Sequence, residues 1–251
     1  MSKQVYKLKS DKADMRDRIY YAKSIKQSSN LPPKIDFRSK CSPIVDQGQL
    51  GSCTANAIAS GLGEYLQNVK LNKVTPLSRL YLYWWERFVE GSVDEDSGAE
   101  IRDGMKILQQ LGCSPELDCP YDINEFTKEP DAKAIIGGID FKIAEYNRVK
   151  DLIGVKTVLA EKLPVVVGIQ VYESFESDEA AKTGIIPMPN PNREQLLGGH
   201  AVLAVGYDDT KKQVIMRNSW GSQWGDEGYF YLPYEYFNYE NGYVMDMWTG
   251  K

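Results

Sequence analysis

One cysteine, one histidine and one asparagine in this chain are of types and in settings that could act together on a carbonyl group. Cys53 lies in Asp46-Gln47-Gly48-Gln49-Leu50-Gly51-Ser52-Cys53-Thr54-Ala55-Asn56-Ala57, where a turn-forming run leads into apolar residues at helical spacing (Ala55, Ile58, Leu62, Tyr65, Leu66). That puts the thiol at a helix N-terminus, where free N–H groups and the positive end of the dipole favour thiolate. His200, the only histidine, begins the strand-like run Gly198-Gly199-His200-Ala201-Val202-Leu203-Ala204-Val205-Gly206-Tyr207. Asn218 lies in Val214-Ile215-Met216-Arg217-Asn218-Ser219-Trp220-Gly221-Ser222-Gln223-Trp224-Gly225. Each alone is ordinary, since buried cysteines and single histidines are mostly structural. Together they fit one chemistry. A thiol nucleophile needs a base that works near neutral pH, the base needs an acceptor to fix its ring, and a side-chain amide with a backbone N–H can hold an oxyanion.

The elements that must position them divide along the chain. Residues 53 to about 112 read as helical, with Thr75-Pro76-Leu77-Ser78 starting a helix over Arg79–Glu90 and Gly112 closing one over Gly98–Leu111. Leu80, Tyr81, Tyr83, Trp84, Trp85 and Phe88 are expected in the core, and Gly91–Ser97 forms an acidic loop. Beyond Pro120 the pattern changes to strands: Pro164–Val171, Gly199–Tyr207, Gln213–Asn218, Gly228–Leu232 and Tyr243–Trp248. Helices first and strands later predict an α+β chain with two segregated lobes.

The 251 residues suffice for one large domain or two lobes, and a net charge of −5 argues against nucleic acid as partner. Residues 1–30 carry eight Lys/Arg and three Asp, so a +5 segment is expected to lie along a −10 body. Leu31-Pro32-Pro33 then imposes an extended exit from it. Four cysteines without a CxxC pair, and one histidine, speak against a structural zinc site. If Cys53 is a catalytic thiol, pairing of Cys41, Cys113 and Cys119 is left open, and no metal or cofactor is expected. No apolar run reaches the roughly 20 residues that span a bilayer, and the N-terminus lacks the apolar core of a secretion signal. The compartment stays undetermined, and a monomer without membrane partners is expected.

From about Pro33 onward the sequence resembles the papain-like cysteine peptidases. Ile35-Asp36-Phe37-Arg38 is similar to the start of mature family members, and Val45–Ala57, Gly199–Tyr207 and Arg217–Tyr229 are similar to three signature blocks. His200 lies 147 positions and Asn218 165 positions after Cys53, close to and slightly beyond the family's usual spacing, which is itself part of the resemblance. The resemblance implies a two-lobed fold, helical on the left and antiparallel and β-barrel-like on the right, with the active site in the cleft. It implies an extension at 1–32 and a catalytic domain at 33–251, helical mainly over 46–120 and β mainly over 121–251. It also implies Cys53 as nucleophile, His200 as its proton partner, Asn218 as the orienting acceptor and Gln47 as oxyanion donor. Trp220 would shield the His200–Asn218 bond, and Trp224 would border the leaving-group side. Ser97 and Gly98 would form the edge that pairs with substrate backbone. Gly168, Gly198, Gly199 and Ala201 would line the substrate pockets.

The chain departs from the family pattern at Leu50, where members carry a cysteine that forms a disulfide. It also departs at Thr54, where an aromatic follows the nucleophile, and at Gly199, where Asp or Asn often precedes the histidine. With the short extension, these features resemble the bacterial or viral branch. The expected activity is endopeptidase cleavage of protein or peptide substrates through an acyl-enzyme, with Lys3–Asn30 as a short inhibitory pro-segment. The competing readings are a catalytically silent binding or regulatory protein of the same fold, and a transpeptidase or amidase using the same thiol.

Overall fold

The computed structural model describes residues 4–20 and 31–251, so Lys3 and positions 21–30 of the basic segment lie outside the described residues. After the short strand β1 (Lys34–Asp36), a continuous helix starts at Cys53, made of α1 (Cys53–Ala55), a π-helical stretch over Asn56–Gly63, and α2 (Glu64–Leu71). The widened middle is rich in small residues, and a Cβ on Gly61 would come 3.2 Å from Leu203. Small side chains there let the helix lie close on the sheet. The aromatic helix α3 (Arg79–Glu90) is capped by Ser78, whose oxygen accepts the Tyr81 N–H, and closed by Gly91 at φ +72°. Its Leu80, Tyr81, Tyr83 and Trp84 are buried, but Phe88 is 53 % exposed, contrary to the core placement expected for it. Phe88 lies on the outer side of the helix, stacked on Trp84. Helix α4 (Ile101–Gln110) begins three residues later than its apolar pattern suggested, and Gly98–Glu100 runs outside it.

After α5 (Ala132–Gly138) come β2 (Tyr146–Arg148), α6 (Leu152–Ala160), β3 (Val165–Tyr172), α7 (Asp178–Thr183), β4 (Leu196–Asp208), β5 (Gln213–Arg217), β6 (Tyr229–Pro233) and β7 (Val244–Gly250). All pairings are antiparallel in the order β2-β7-β3-β4-β5-β6, with β1 added beside β4. The expected barrel-like closure is absent among the described residues. The sheet is open, and its edges are covered instead, β2 by Ile19 bridging Arg148 and β6 by Ile185 bridging Tyr231.

The sheet separates two cores. Val166, Ala201, Leu203, Val205 and Ile215 point toward α1–α4, whereas Val165, Val167, Ile169, Val202, Ala204 and Met216 point toward α6, α7 and the tryptophans. Burial on both faces explains why β3 and β4 read as nearly continuous apolar runs. Cys41, Cys53, Cys113 and Cys119 are all free thiols. Among the described residues no helix is long and apolar enough to cross a membrane, and no group of His, Cys, Asp and Glu could hold a metal ion.

Candidate active site

Cys53 opens the long helix, and His200 stands on β4, with its neighbour Ala201 paired across to Gly168 of β3. The first turn of that helix packs against β4. The backbone N–H groups of Ala201, Cys53 and Thr54 lie near the Cys53 sulfur and favour its charged form. Asn218 follows β5, whose pairing with β4 brings it to His200. His200 Nε2 lies 2.9 Å from Asn218 Oδ1, and the Ser219 N–H donates to the same oxygen at 2.9 Å. Ser219 therefore fixes the Asn218 amide with its oxygen toward the imidazole, and the tautomer that suits it carries the proton on Nε2. His200 Nδ1 is left without a protein partner among the described residues. Trp220 stacks on the imidazole at 4.9 Å between ring centroids and 23° between planes.

Gln47 is fully buried. Its Oε1 accepts from Ser219 Oγ at 2.6 Å, its backbone N–H donates to Ser219 O at 2.9 Å, and its Nε2 donates to Leu50 O at 3.1 Å. One Nε2 proton remains for a further acceptor. Trp224 stands one layer behind Trp220, its ring edge-on to it at 4.8 Å, and stacks on Phe175.

The remaining predicted positions are brought together around the chain's own N-terminal segment. The Leu8 N–H donates to Gly199 O at 3.0 Å, and the Lys9 N–H donates to Ala99 O at 3.1 Å. A Cβ on Gly98, which has φ +69°, would fall 1.7 Å from Lys7 O, and one on Gly198 would fall 2.7 Å from Tyr6. The Leu8 side chain sits over Gly168, beside Ile101 and Met245, and is 7 % exposed. Tyr6 presents an edge to both His200 and Trp220, at 6.1 and 5.9 Å, and its hydroxyl donates to Glu176. Ser97 accepts from Lys9 Nζ at 3.1 Å. The backbone pairing falls on Ala99, not on Ser97 or Gly98, because the Gly98 N–H is taken by Tyr83 Oη at 3.0 Å. Ala99 was missed in the sequence because carbonyl pairing leaves no side-chain signal.

Beyond the cleft the segment is clamped by charge. Lys7 pairs with Asp96 and Lys9 with Glu90, as a basic segment on an acidic body should. Further along the signs reverse: Asp11 binds Arg148 and Trp248 Nε1, and Asp17 binds Arg102 and Arg148. With the segment in place, burial pushes the Cys53 thiol up to about 12 and the His200 imidazole down to about 4. The Ala201 N–H opposes the first shift and the Asn218 bond the second, and neither outweighs burial. Burial therefore favours the neutral form of each group.

Residues 31–244 match the papain family of cysteine proteases. An uncharacterized peptidase C1-like protein of Acanthamoeba polyphaga mimivirus is 40 % identical over 247 residues, which cover 90 % of this chain and 78 % of that protein. Cysteine proteinase 3 of Entamoeba histolytica is 32 % identical over 213 residues, 80 % of this chain and 62 % of its own length. Among solved structures, xylellain, a cysteine protease from Xylella fastidiosa, superposes with a TM-score of 0.89 at 38 % identity over 98 % of this chain and 95 % of its own. The chain therefore belongs to the papain family of cysteine proteases.

Proposed function

We propose that the chain is an endopeptidase that cleaves peptide bonds through an acyl-enzyme on Cys53, and that residues 1–32 act as an inhibitory pro-segment to a catalytic domain at 33–251. One observation carries the catalytic part. His200 commits Nε2 to Asn218 and leaves Nδ1 unpartnered, and the N–H of its chain neighbour Ala201 lies near the Cys53 sulfur.

In the reaction, His200 Nδ1 takes the thiol proton and the sulfur attacks the scissile carbonyl carbon. The carbonyl electron pair moves to oxygen, which accepts from Gln47 Nε2 and the Cys53 backbone N–H. On collapse the C–N bond breaks, the leaving nitrogen takes the proton from His200 Nδ1, and a thioester remains on Cys53. Water then attacks the thioester, giving its proton to His200. The acid leaves, and the proton returns to sulfur. Asn218 holds the imidazolium in plane, and Trp220 keeps water from the His200–Asn218 bond. Ser97, Gly98, Gly168, Gly198, Gly199 and Ala201 form the substrate groove together with Ala99, and Trp224 supports Trp220 on the leaving-group side.

The inhibitory part rests on occupancy. Tyr6, Lys7, Leu8 and Lys9 fill the groove and take the Gly199 and Ala99 carbonyls that a substrate strand would use.

The test is a fluorogenic dipeptide assay on the opened enzyme. Cys53→Ala should abolish turnover, Gln47→Ala should lower kcat by about 100-fold, and Asn218→Ala should lower it by a similar factor of about 100 through misplacement of the ring. Equal activity of Cys53→Ala and the parent would overturn the proposal. Product masses with an added amine separate hydrolysis from aminolysis.

A further inference from the structure

Leu50 stands where family members carry a disulfide-forming cysteine, and it is buried at 3 % exposure. The loop that carries Gln47 and delivers Cys53 must therefore be tied down without a covalent bridge. On one side Tyr121 and Arg79 hold it. Tyr121 Oη donates to Gln47 O at 2.9 Å and meets Ser52 Oγ at 2.5 Å, while Arg79 donates to Asp46 O at 3.0 Å and lies 3.8 Å over the Tyr121 ring. On the other side stands the carboxylate of Asp96.

The Gly51 N–H, two residues before the nucleophile, donates to Asp96 Oδ1 at 3.0 Å and Oδ2 at 3.2 Å. Tyr83 Oη donates to Asp96 Oδ1 at 2.5 Å and itself accepts the Gly98 N–H. Asp96 thus links three parts at once: the nucleophile loop, the core of α3, and the backbone just before the pairing carbonyl of Ala99. A carboxylate can accept about four hydrogen bonds, and one of the remaining places is filled from the N-terminal segment. Lys7 Nζ donates to Asp96 Oδ2 at 2.7 Å and to the Asp96 carbonyl at 2.6 Å. The Lys7 stem also packs against Gly51. The Asp96 side chain is only 19 % exposed, so solvent screens this pair less than a surface one.

We infer that Asp96 is a positioning residue for the nucleophile loop, and that the same carboxylate is the docking point through which Lys7 keeps the cleft closed. The second half rests on the inhibitory reading above; the first does not. Releasing the segment frees one acceptor place on Asp96 and leaves the Gly51 and Tyr83 bonds intact, so the loop keeps its shape when the cleft opens.

The experiment uses the full chain, folded first, cut at a protease site placed within residues 21–30 and then freed of the severed segment by gel filtration at high salt, so that each variant is read closed and opened. Two signals are followed: kcat and KM on a fluorogenic dipeptide, and the alkylation rate of Cys53 by iodoacetamide, resolved from the other cysteines by peptide mass. Lys7→Met should raise both signals by about tenfold in the uncut chain, the worth of a charge-assisted bond, and leave the cut enzyme unchanged. Asp96→Asn should raise the alkylation rate in the uncut chain by a similar factor, while its uncut turnover, a gain in opening set against the loss of kcat that follows, should stay near or below the parent's. In the cut enzyme it should lower kcat by about tenfold or more, as a displaced loop would, with KM within a factor of about two. Tyr83→Phe, which removes the other support of the carboxylate, should act in the same direction and serves if Asp96→Asn fails to fold. An uncut Lys7→Met chain as slow as the parent overturns the docking role. A cut Asp96→Asn or Tyr83→Phe enzyme with the parent's kcat overturns the positioning role. If the cut parent has no Cys53-dependent turnover, the peptidase reading has failed instead, and the Cys53 alkylation rates still decide both roles.

Discussion

The full-length chain carrying Leu8→Asp is expected to hydrolyse a fluorogenic dipeptide about 100-fold faster than the unaltered chain. Among the described residues of the segment, Leu8 is the one side chain that is both apolar and buried, over Gly168 and beside Ile101 and Met245. An ionised carboxylate in that place has no cation to pair with among these apolar contacts, and burying it costs about 3 kcal/mol or more. The cost falls only on the closed form, because in the open form residue 8 is in water. A closed form disfavoured by about 3 kcal/mol shifts the balance by about two orders of magnitude. Leu8→Met, similar in volume and apolar, should change the rate by less than about threefold. A folded Leu8→Asp chain with the basal rate of the parent would mean that the groove is not what the segment blocks.

The second large effect is a pH dependence that one substitution should uncover. In the closed chain burial holds the His200 imidazole down to about 4, from an ordinary value of 6.5. Uncovered, it returns toward that value. Between these limits the open form binds a proton that the closed form does not, so falling pH favours opening, by about 3 kcal/mol at most over the window. Asp11 acts with the opposite sign. Burial and the facing Asp246 carboxylate raise its carboxyl above the usual range, and the bonds from Arg102, Trp248 and Arg148 only partly oppose this. The closed form therefore holds a proton on Asp11 that the released segment gives up, and falling pH favours closure from this group. In the parent the two contributions offset each other, and opening should vary little between pH 4 and 7. Asp11→Asn removes the second contribution and leaves the first. Its segment should open steeply as the pH falls from 6.5 toward 4. The protection factors of the Leu8 and Lys9 amides, from hydrogen exchange, report this directly, because those two N–H groups bond to Gly199 and Ala99 only in the closed form. A flat protection profile in Asp11→Asn would show that His200 is not charged on opening.

The parts of the molecule that could be read from the sequence are those whose signal is local. Cys53 follows a glycine turn and starts a periodic helix, and His200 starts an apolar run. Ser78 and Gly91 bracket α3 as a cap and a terminator should. What escaped was set by distant partners. Strands β1 and β2 have three residues each, too few to show alternation, and exist because β4 and β7 offer them edges. Helix α6 is rich in β-branched residues and carries Gly154, so propensity argues against it; Asp151 caps it, and Val155, Val158 and Leu159 bury its inner face. Phe88 follows four aromatic positions that are core or near-core, yet helical geometry turns it outward. At the site the side chains proposed for catalysis were legible by type and spacing, whereas Ala99 and Asp96 were not. Ala99 acts through a carbonyl, and Asp96 is one of several acidic residues in an ordinary-looking loop. Its role appears only where Gly51, Tyr83 and Lys7 converge on it.

The most direct test of the peptidase account is to trap the intermediate. The Leu8→Asp chain is mixed with an activated peptide ester, quenched in acid within the first turnover, and analysed by mass spectrometry after digestion. The account predicts one added acyl mass, located on the peptide that contains Cys53, which disappears on standing at neutral pH and is missing in Cys53→Ala. An acyl group on any other residue, or turnover that persists in Cys53→Ala without an acyl-enzyme, would contradict it.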